Sequence, residues 1–214
     1  MAELIKTPEF GLNIGEIEVD RQIGIIHKRV TQLPDFIGSF DRPTPIDYYY
    51  LVGRSIGLLM DERWPLAEMI PQCSLRIVEN KEMASGCECW IDMNFIEGQK
   101  LSQMQVISKN VADQLTAFLN GCLIMAKTTK QEEGKVTIPD LLGGVERPHK
   151  RFRNFIVERK TEKLYFVDVY PVAEFGKRKL NLTKRRYKQA LTQAAQAIGY
   201  PKIIAMVEEL KATL

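Results

Sequence analysis

The sequence has few of the residues that most often perform catalysis or bind metals. Among its 214 residues are two histidines, His27 and His149, and four cysteines. It also lacks G-x-S-x-G, the Walker loop, G-x-G-x-x-G and H-E-x-x-H, the signatures of α/β-hydrolases, P-loop NTPases, dinucleotide-binding enzymes and zinc proteases. His27 lies in the apolar segment GIIHKRV, so we expect a structural histidine there. We predict no catalytic residue from these motifs, and no cofactor.

The four cysteines are too few and too unevenly spaced for a disulfide framework in a chain of this length. Cys87 and Cys89, in GCECW, could chelate a soft metal, but no second pair stands at zinc-finger spacing. Residues two apart in a strand point to the same face. We therefore expect both thiols to pack in the core beside Met93, and metal binding by this pair is left open as the alternative.

The chain has no basic start followed by an apolar core, and no apolar run near the length of about 20 residues that a membrane span needs. We therefore expect a cytoplasmic protein with no membrane partner. Its hydrophobic fraction of 45% and charged fraction of 27% are those of a globular protein. With no repeat or linker apparent, a single domain over residues 1–214 is predicted.

Charge is distributed unevenly along the sequence. Residues 147–190 hold fourteen Lys or Arg against four Asp or Glu, a local charge of +10 that leaves −7 on the remainder of a chain whose total is +3. A concentrated basic region of this kind is typical of proteins that bind a polyanion.

Hydrophobic periodicity predicts an α+β fold, with antiparallel strands packed on one long central helix, a β-hairpin and two C-terminal helices. Strands are expected within 15–30, broken near Asp20, and in the pair CSLRIVENKE and SGCECWIDMNFI. The capping box S-x-x-Q at Ser102 and the apolar spacing that follows predict the central helix from Ser102 to about Lys127. The hairpin is expected in RFRNFIVE and LYFVDVYPV, and the last two helices in TKRRYKQALTQAAQAI and PKIIAMVEELKAT.

The segment KRKLNLTKRRYKQAL indicates an anion-binding site. Thr183 is predicted to be the helix N-cap, which places Lys184, Arg185 and Arg186 in the first turn. Positive charge is unfavourable there because the helix dipole is positive at its N-terminus. A bound phosphate, held by free backbone N–H groups, would reverse this effect.

The predicted hairpin adds basic residues interleaved with aromatic ones, the combination by which single-stranded nucleic acid is bound through phosphate pairing and base stacking. Packing of the rings against a helix is the alternative. The aromatic residues are Phe152, Phe155, Tyr165, Phe166, Tyr170, Phe175 and Tyr187. The predicted nucleic-acid-binding residues are Lys150, Arg151, Arg153, Arg159, Lys177, Arg178, Lys179, Lys184, Arg185 and Lys188.

A third pattern pairs Pro139 and Asp140 with Glu158 and Lys160. Over about 22 residues it resembles the P-D…(D/E)-x-K pattern of the restriction-endonuclease-like nucleases. The resemblance implies that Asp140 and Glu158 hold Mg²⁺ and that Lys160 orients the attacking water. In that family both acidic residues come from adjacent strands, whereas Asp140 here lies in a glycine-rich turn.

These patterns together predict a non-catalytic nucleic-acid-binding protein that contacts phosphates through a basic hairpin-helix face in its C-terminal third. One alternative is a structural or assembly subunit of a phage or multiprotein complex, as a homo-oligomer or with an acidic protein partner. A magnesium-dependent nuclease using Asp140, Glu158 and Lys160 is the other.

Overall fold

A computed structural model describes residues 3–5, 14–30, 45–82, 86–142, 152–170, 172–175 and 181–214. These residues form two compact units, which we call the sheet unit and the helical unit. The sheet unit comprises the described residues of Met1–Leu58 and Pro71–Phe95, and the helical unit those of Leu59–Ile70 and Ile96–Leu214. The single domain expected over 1–214 stays a prediction.

The sheet unit contains one five-stranded antiparallel sheet with strand order β1-β2-β3-β5-β4. Its strands are β1 (Glu3–Ile5), β2 (Ile14–Asp20), β3 (Ile25–Val30), β4 (Cys73–Glu79) and β5 (Cys87–Asn94). The break predicted near Asp20 is confirmed, because the Asp20 carboxylate accepts the N–H groups of Gln22 and Ile23 at 2.9 and 3.3 Å. Gly24 completes this turn with φ of +69°, a left-handed conformation that suits glycine.

Alternate residues of β2 and β5 form the buried face of this sheet, with Ile17, Cys89, Ile91 and Met93 all at most 3% exposed. Cys87 lies on the same face at 1% exposure, so the prediction that both thiols of GCECW pack in the core is confirmed. Burial raises the pKa of Cys89 to about 12, which keeps that thiol protonated. Among the described residues no group of three or more His, Cys, Asp or Glu side chains could hold a metal.

The segment Pro45–Leu59 is helical. It consists of α1 (Pro45–Tyr48), a π-helical turn (Tyr49–Gly53) and α2 (Arg54–Leu59). Val52 and Leu59 are fully buried.

The helical unit is built around α3 (Lys109–Glu133), a helix of 25 residues. Its predicted start at Ser102 is wrong: Leu101–Gln103 is a single 3-10 turn, and Met104 is extended with ψ of 130°. The N-cap is Ser108, whose hydroxyl accepts the Val111 N–H at 3.3 Å. The helix continues past Lys127 to Gly134, which ends it with φ of +68°.

The predicted apolar stripe of the central helix is confirmed from Val111 onward, since Val111, Leu115, Phe118 and Cys122 are all fully buried. Its first two expected members, Met104 and Ile107, precede the helix and are half-buried.

The unit also contains two antiparallel sheets, with strand orders β6-β8-β9 and β10-β7. Their strands are β6 (Gly98–Lys100), β7 (Val136–Pro139), β8 (Phe155–Glu158), β9 (Leu164–Phe166) and β10 (Val172–Phe175). Strands β7 and β9 contact α3. Strands β8 and β9 are the predicted hairpin.

Two helices close the unit, α4 (Asn181–Ile198) and α5 (Pro201–Thr213). Gly199 separates them with φ of +74°, and Pro201 lies in the first turn of α5, where its missing N–H needs no partner. The α+β fold class, with its central helix, hairpin and C-terminal helices, is therefore confirmed. Within the described residues, no helix is long and apolar enough to cross a bilayer.

Candidate functional site

Half of the basic residues predicted to bind nucleic acid fall in the part of the chain that the structure describes. Lys150, Arg151, Lys177, Arg178 and Lys179 lie outside the described residues. Arg153 and Arg159 lie before and after β8, and Lys184, Arg185 and Lys188 lie on α4.

The prediction that Thr183 is the N-cap of α4 is wrong, because the helix begins at Asn181. Thr183 lies in the first turn, and Lys184, Arg185 and Arg186 follow it. The dipole effect fades within the first turn of a helix, so the dipole at the N-terminus does not account for this run of positive charge.

Three helices instead bring four lysines together. Lys130 comes from α3, Lys184 and Lys188 from α4, and Lys211 from α5; we call this group the lysine cluster. Lys188 is half-buried, and its pKa is lowered by burial and by the positive charges of Lys184, Lys211 and Lys130. The cluster is formed by tertiary packing, because its members are up to 81 residues apart in the chain.

The members of the lysine cluster differ in their polar partners. Lys130 Nζ donates to the backbone carbonyl of Thr213 at 3.2 Å. Lys211 Nζ contacts both carboxylate oxygens of Glu208 at 2.8 Å. Within the described part of the chain, neither Lys184 nor Lys188 forms a salt bridge. The four lysines therefore have one carboxylate contact among them, that of Glu208 with Lys211. The cluster retains an excess of positive charge that an external anion would neutralise.

The tip of the β8–β9 hairpin, residues 158–163, carries three basic and two acidic side chains, and Glu97 beside Arg159 brings the charge to balance. Arg159 lies 4.0 Å from Glu97, and Lys163 sits over the ring of Tyr165 at 4.9 Å. Glu158 and Glu162 add two negative charges to the same tip. The basic residues on this hairpin tip are therefore largely compensated by neighbouring carboxylates.

The hairpin tip and the lysine cluster lie at different points along α3. Gln114 contacts the hairpin, donating to the Glu162 carbonyl at 2.9 Å, and Lys130 belongs to the cluster. Sixteen residues separate them, about 24 Å at a rise of 1.5 Å per residue. A nucleic acid that touched both groups would have to span this distance, so the cluster is the more compact candidate site.

Most of the rings expected to stack on bases are core residues. Phe152, Phe155 and Phe166 are fully buried, and Tyr170 and Tyr187 are 2% and 3% exposed. Phe118 joins them, with ring centroids 5.0 Å from Phe155 and 5.2 Å from Phe166. Aromatic pairs at such distances stabilise a core. The packing alternative for these five residues is therefore correct, and only the half-buried Tyr165 and Phe175 of the predicted set retain exposed surface.

The nuclease pattern is not assembled into a metal site. The backbone carbonyl of Asp140 accepts the Asn154 side-chain N–H at 2.6 Å, which holds Asp140 near the start of β8. Glu158 ends that strand, four residues or about 13 Å beyond Asn154, and its carboxylate accepts from the Thr161 hydroxyl. A shared Mg²⁺ would require the two carboxylates to approach within about 5 Å. The geometry does not support this hypothesis, and Lys160 is exposed on the hairpin tip.

The sheet unit contains a polar network that the sequence did not reveal. His27 Nδ1 lies 2.7 Å from a carboxylate oxygen of Asp92, and Arg76 donates to both oxygens of that carboxylate at 2.8 and 3.1 Å. Burial alone would raise the pKa of Asp92, but the hydrogen bonds from Arg76 and His27 outweigh it and lower the pKa. His27 has the hydrogen-bond partner expected of a structural histidine.

Sequence reasoning found Lys184 and Lys188 but missed Lys130 and Lys211. Both missed residues lie in segments of mixed charge, and only the packing of α5 against α3 and α4 brings them beside Lys188. Searches with the sequence find no matching family model and no matching curated protein. The ligand of the lysine cluster is therefore inferred from its chemistry alone.

Proposed function

We propose that the protein is a non-catalytic nucleic-acid-binding protein that contacts phosphates through the lysine cluster. The observation that carries the proposal is that α5 packs against both α3 and α4. These helices carry Lys130, Lys184, Lys188 and Lys211, and the positive charges of the other three lysines act on Lys188. Like charges held together repel one another, and a polyanion removes that repulsion by supplying the missing counter-charge.

The charge distribution along the sequence supports the same ligand. Lys184 and Lys188 belong to the segment 147–190, which carries +10 in a chain whose total is +3. Such a local excess raises the rate at which an anionic polymer encounters the protein. Lys130 and Lys211 add two further positive charges from α3 and α5.

The buried rings favour binding through phosphates over stacking with bases. Phe152, Phe155 and Phe166 are fully buried, so they offer no face to a base. Phosphate contacts carry no direct sequence information. We therefore expect affinity that depends strongly on salt and weakly on sequence.

The test compares two variants that lose the same charge. The first replaces Lys184 and Lys188 by Gln; the control replaces Lys109 and Lys160, both exposed and both at the hairpin end of α3. Each phosphate contact contributes about 0.9 to the slope of log affinity against log salt for duplex DNA. The cluster variant should lower this slope by about 1.8, measured by fluorescence anisotropy with duplex DNA, single-stranded DNA and RNA. The control should leave it close to that of wild type.

If the slope of log affinity against log salt fell equally in the two variants, binding would depend only on total charge. That result would contradict a site at the lysine cluster. Wild-type affinity that does not change with salt would contradict nucleic-acid binding itself. That result would favour the assembly-subunit alternative, in which an acidic protein is the partner. Circular dichroism of both variants establishes that they are folded.

A further inference from the structure

Strand β4 lies at one edge of the five-stranded sheet, and among the described residues it pairs only with β5. The Asn94 N–H donates to the carbonyl of Gln72, directly before β4, at 3.0 Å, so even-numbered residues of β4 direct their backbone polar groups towards β5. Odd-numbered residues direct theirs away from β5, because the two kinds of residue pair alternate along an antiparallel ladder. Leu75 and Ile77 therefore present N–H and C=O groups along an edge where no described strand pairs.

This edge lacks the features that commonly prevent a strand from pairing with another chain, which are proline, bulges and charged side chains such as lysine. The β4 sequence, CSLRIVE, contains neither proline nor lysine. Its ladder with β5 runs over seven residues without a register shift. The one charge within the strand, Arg76, is held by the carboxylate of Asp92, and Glu79 lies at its end. Such an edge is a template for an added strand.

The side chains of β4 indicate which strand is added. Cys73, Leu75 and Ile77 lie opposite residues of β5 that are at most 2% exposed. They extend the buried face of the sheet to its edge, where they are themselves only half-buried. A strand that covers them must offer apolar side chains at alternate positions, because residues two apart in a strand share a face.

A second β4 strand meets this requirement in one register. When two β4 strands pair antiparallel with Leu75 opposite Leu75, Cys73 lies opposite Ile77, so each apolar residue of the row faces another. Moving the centre to Arg76 would place two like charges directly opposite each other, which is destabilising. Moving it to Ile77 would place Leu75 opposite Glu79. The row is therefore self-complementary about Leu75.

A helical segment beside β4 adds exposed apolar surface. The π-helical turn Tyr49–Gly53 contacts β4, and a Cβ added at Gly53 would lie 3.7 Å from Leu75 Cδ2. Tyr49 and Tyr50 of this turn are 70% and 65% exposed. Since a tyrosine can bury 150–250 Å², the four tyrosines of two copies expose on the order of 400 to 650 Å². This is a large part of the roughly 1,000 Å² that a specific interface requires.

We propose that the protein forms a homodimer in which β4 pairs antiparallel with β4 of a second copy, so that two five-stranded sheets become one sheet of ten strands. The twofold axis passes through the Leu75 pair, and both copies contribute the same surface, as in other isologous interfaces. A second copy supplies the complementary apolar row and the tyrosines as well as the backbone groups. The dimer carries two lysine clusters, but its assembly does not depend on what they bind.

Sedimentation velocity of the full chain over a range of concentrations tests this pairing. Wild type should be a dimer that dissociates on dilution. Ile77→Lys places a charge within the paired row and should give a monomer, whereas Val78→Lys makes the same change at a 40% exposed position on the other face and should leave the dimer intact. Circular dichroism establishes that both variants fold. A wild-type monomer at every concentration would overturn the proposal and favour a strand of another protein as the occupant, and a dimeric Ile77→Lys would overturn it as well.

The contribution of the tyrosines is measured with the double variant Tyr49→Ser, Tyr50→Ser. It should raise the dimer dissociation constant by roughly tenfold or more, because tyrosine is among the residues whose truncation costs an interface most. Ile23→Ser is the control, since Ile23 is 64% exposed in the turn between β2 and β3. Its dissociation constant should equal that of wild type. Equal dissociation constants for the double variant and the control would remove the tyrosines from the interface.

Disulfide cross-linking tests the register and does not rely on a disruptive variant. Directly opposite residues in a hydrogen-bonded pair have Cα atoms about 5.5 Å apart, within the range of a disulfide. Leu75→Cys should therefore give a covalent dimer on mild oxidation, seen on a non-reducing gel, with wild type as the background because it retains Cys73. Val78→Cys is the control: its more exposed position favours random collision, yet it should cross-link less. The reverse order would contradict pairing about Leu75.

Discussion

Asp92 shows how one carboxylate organises the exposed face of the sheet. It lies directly across from His27 on β3 and from Ser74 on β4, and it accepts hydrogen bonds from His27 and Arg76. Its side chain is 19% exposed, so these partners replace most of its contact with water. The ionised form is the one that both partners stabilise.

The lowered pKa of Asp92 predicts how stability depends on pH. Because the folded protein holds this pKa below the usual 3.8, the ionised carboxylate contributes stability above that pH, and the contribution is lost as pH falls through the folded pKa. An Asp92→Asn variant should therefore melt below wild type at pH 5, with the difference in Tm narrowing towards pH 3. Glu79→Gln, at an exposed position of β4, is the charge-matched control and should lower Tm at pH 5 by less than Asp92→Asn does. A Tm difference between Asp92→Asn and wild type that widens as pH falls would contradict the lowered pKa of Asp92.

At the scale of elements, local patterns predicted which segments are helices and strands but not where α3 begins. The three- and four-residue spacing of Val111, Leu115 and Phe118 identified the helix correctly. Ser102 and Ser108 are both serines able to cap, and the choice between them depends on tertiary contacts. Leu101 is 1% exposed in a 3-10 turn. Met104, which follows this turn, is extended, so no α-helix continues from Ser102.

The candidate site was predictable only in part, for a related reason. Lys184 and Lys188 are adjacent on one flank of α4, and a helical wheel reveals such neighbours. Lys130 and Lys211 reach the same place through packing of α5 on α3, which no local pattern encodes. The buried hairpin rings were also beyond local prediction. Alternation along the sequence shows that a strand has two faces, but the position of α3 decides which face is buried.

Two helical glycines should respond in opposite ways to alanine. A Cβ added at Gly57 in α2 would have no atom within 4 Å, whereas a Cβ at Gly121 in α3 would lie 2.6 Å from Leu66 Cδ2. Glycine in a helix interior is about 1 kcal/mol less favourable than alanine. Gly57→Ala should therefore stabilise the protein by up to about 1 kcal/mol. Gly121→Ala should destabilise it by about 1 to 2 kcal/mol, since overpacking outweighs propensity.

Urea denaturation followed by circular dichroism measures both effects. The double variant Leu66→Ala, Gly121→Ala is the control, compared with Leu66→Ala alone. Once the Leu66 side chain is gone, the added methyl group should be neutral or favourable. Destabilisation by Gly121→Ala that persists in this background would show that the Leu66 contact is not its cause.

At the scale of the whole molecule, the two tryptophans provide one reporter for each unit. Trp90 is 8% exposed in the sheet unit, and Trp64 is 1% exposed in the helical unit. The predicted single domain requires both to report one cooperative transition. Trp64→Phe and Trp90→Phe variants should therefore each show a fluorescence midpoint in urea that coincides with the circular dichroism midpoint of the same variant. Separate midpoints within either variant would demonstrate two independently unfolding domains.

The path of the chain through the two units constrains the order in which the protein can fold as it leaves the ribosome. Residues 59–70 emerge between the two segments of the sheet unit, yet they belong to the helical unit. Leu66 is fully buried there and lies close to Gly121, a residue synthesised 55 positions later. For the time needed to translate that interval, a few seconds to about ten seconds at roughly 5–20 residues per second, the nascent chain carries Leu66 without the helix against which it packs. A truncated product ending after β5 would expose the same apolar segment permanently, and would be a natural substrate for chaperones.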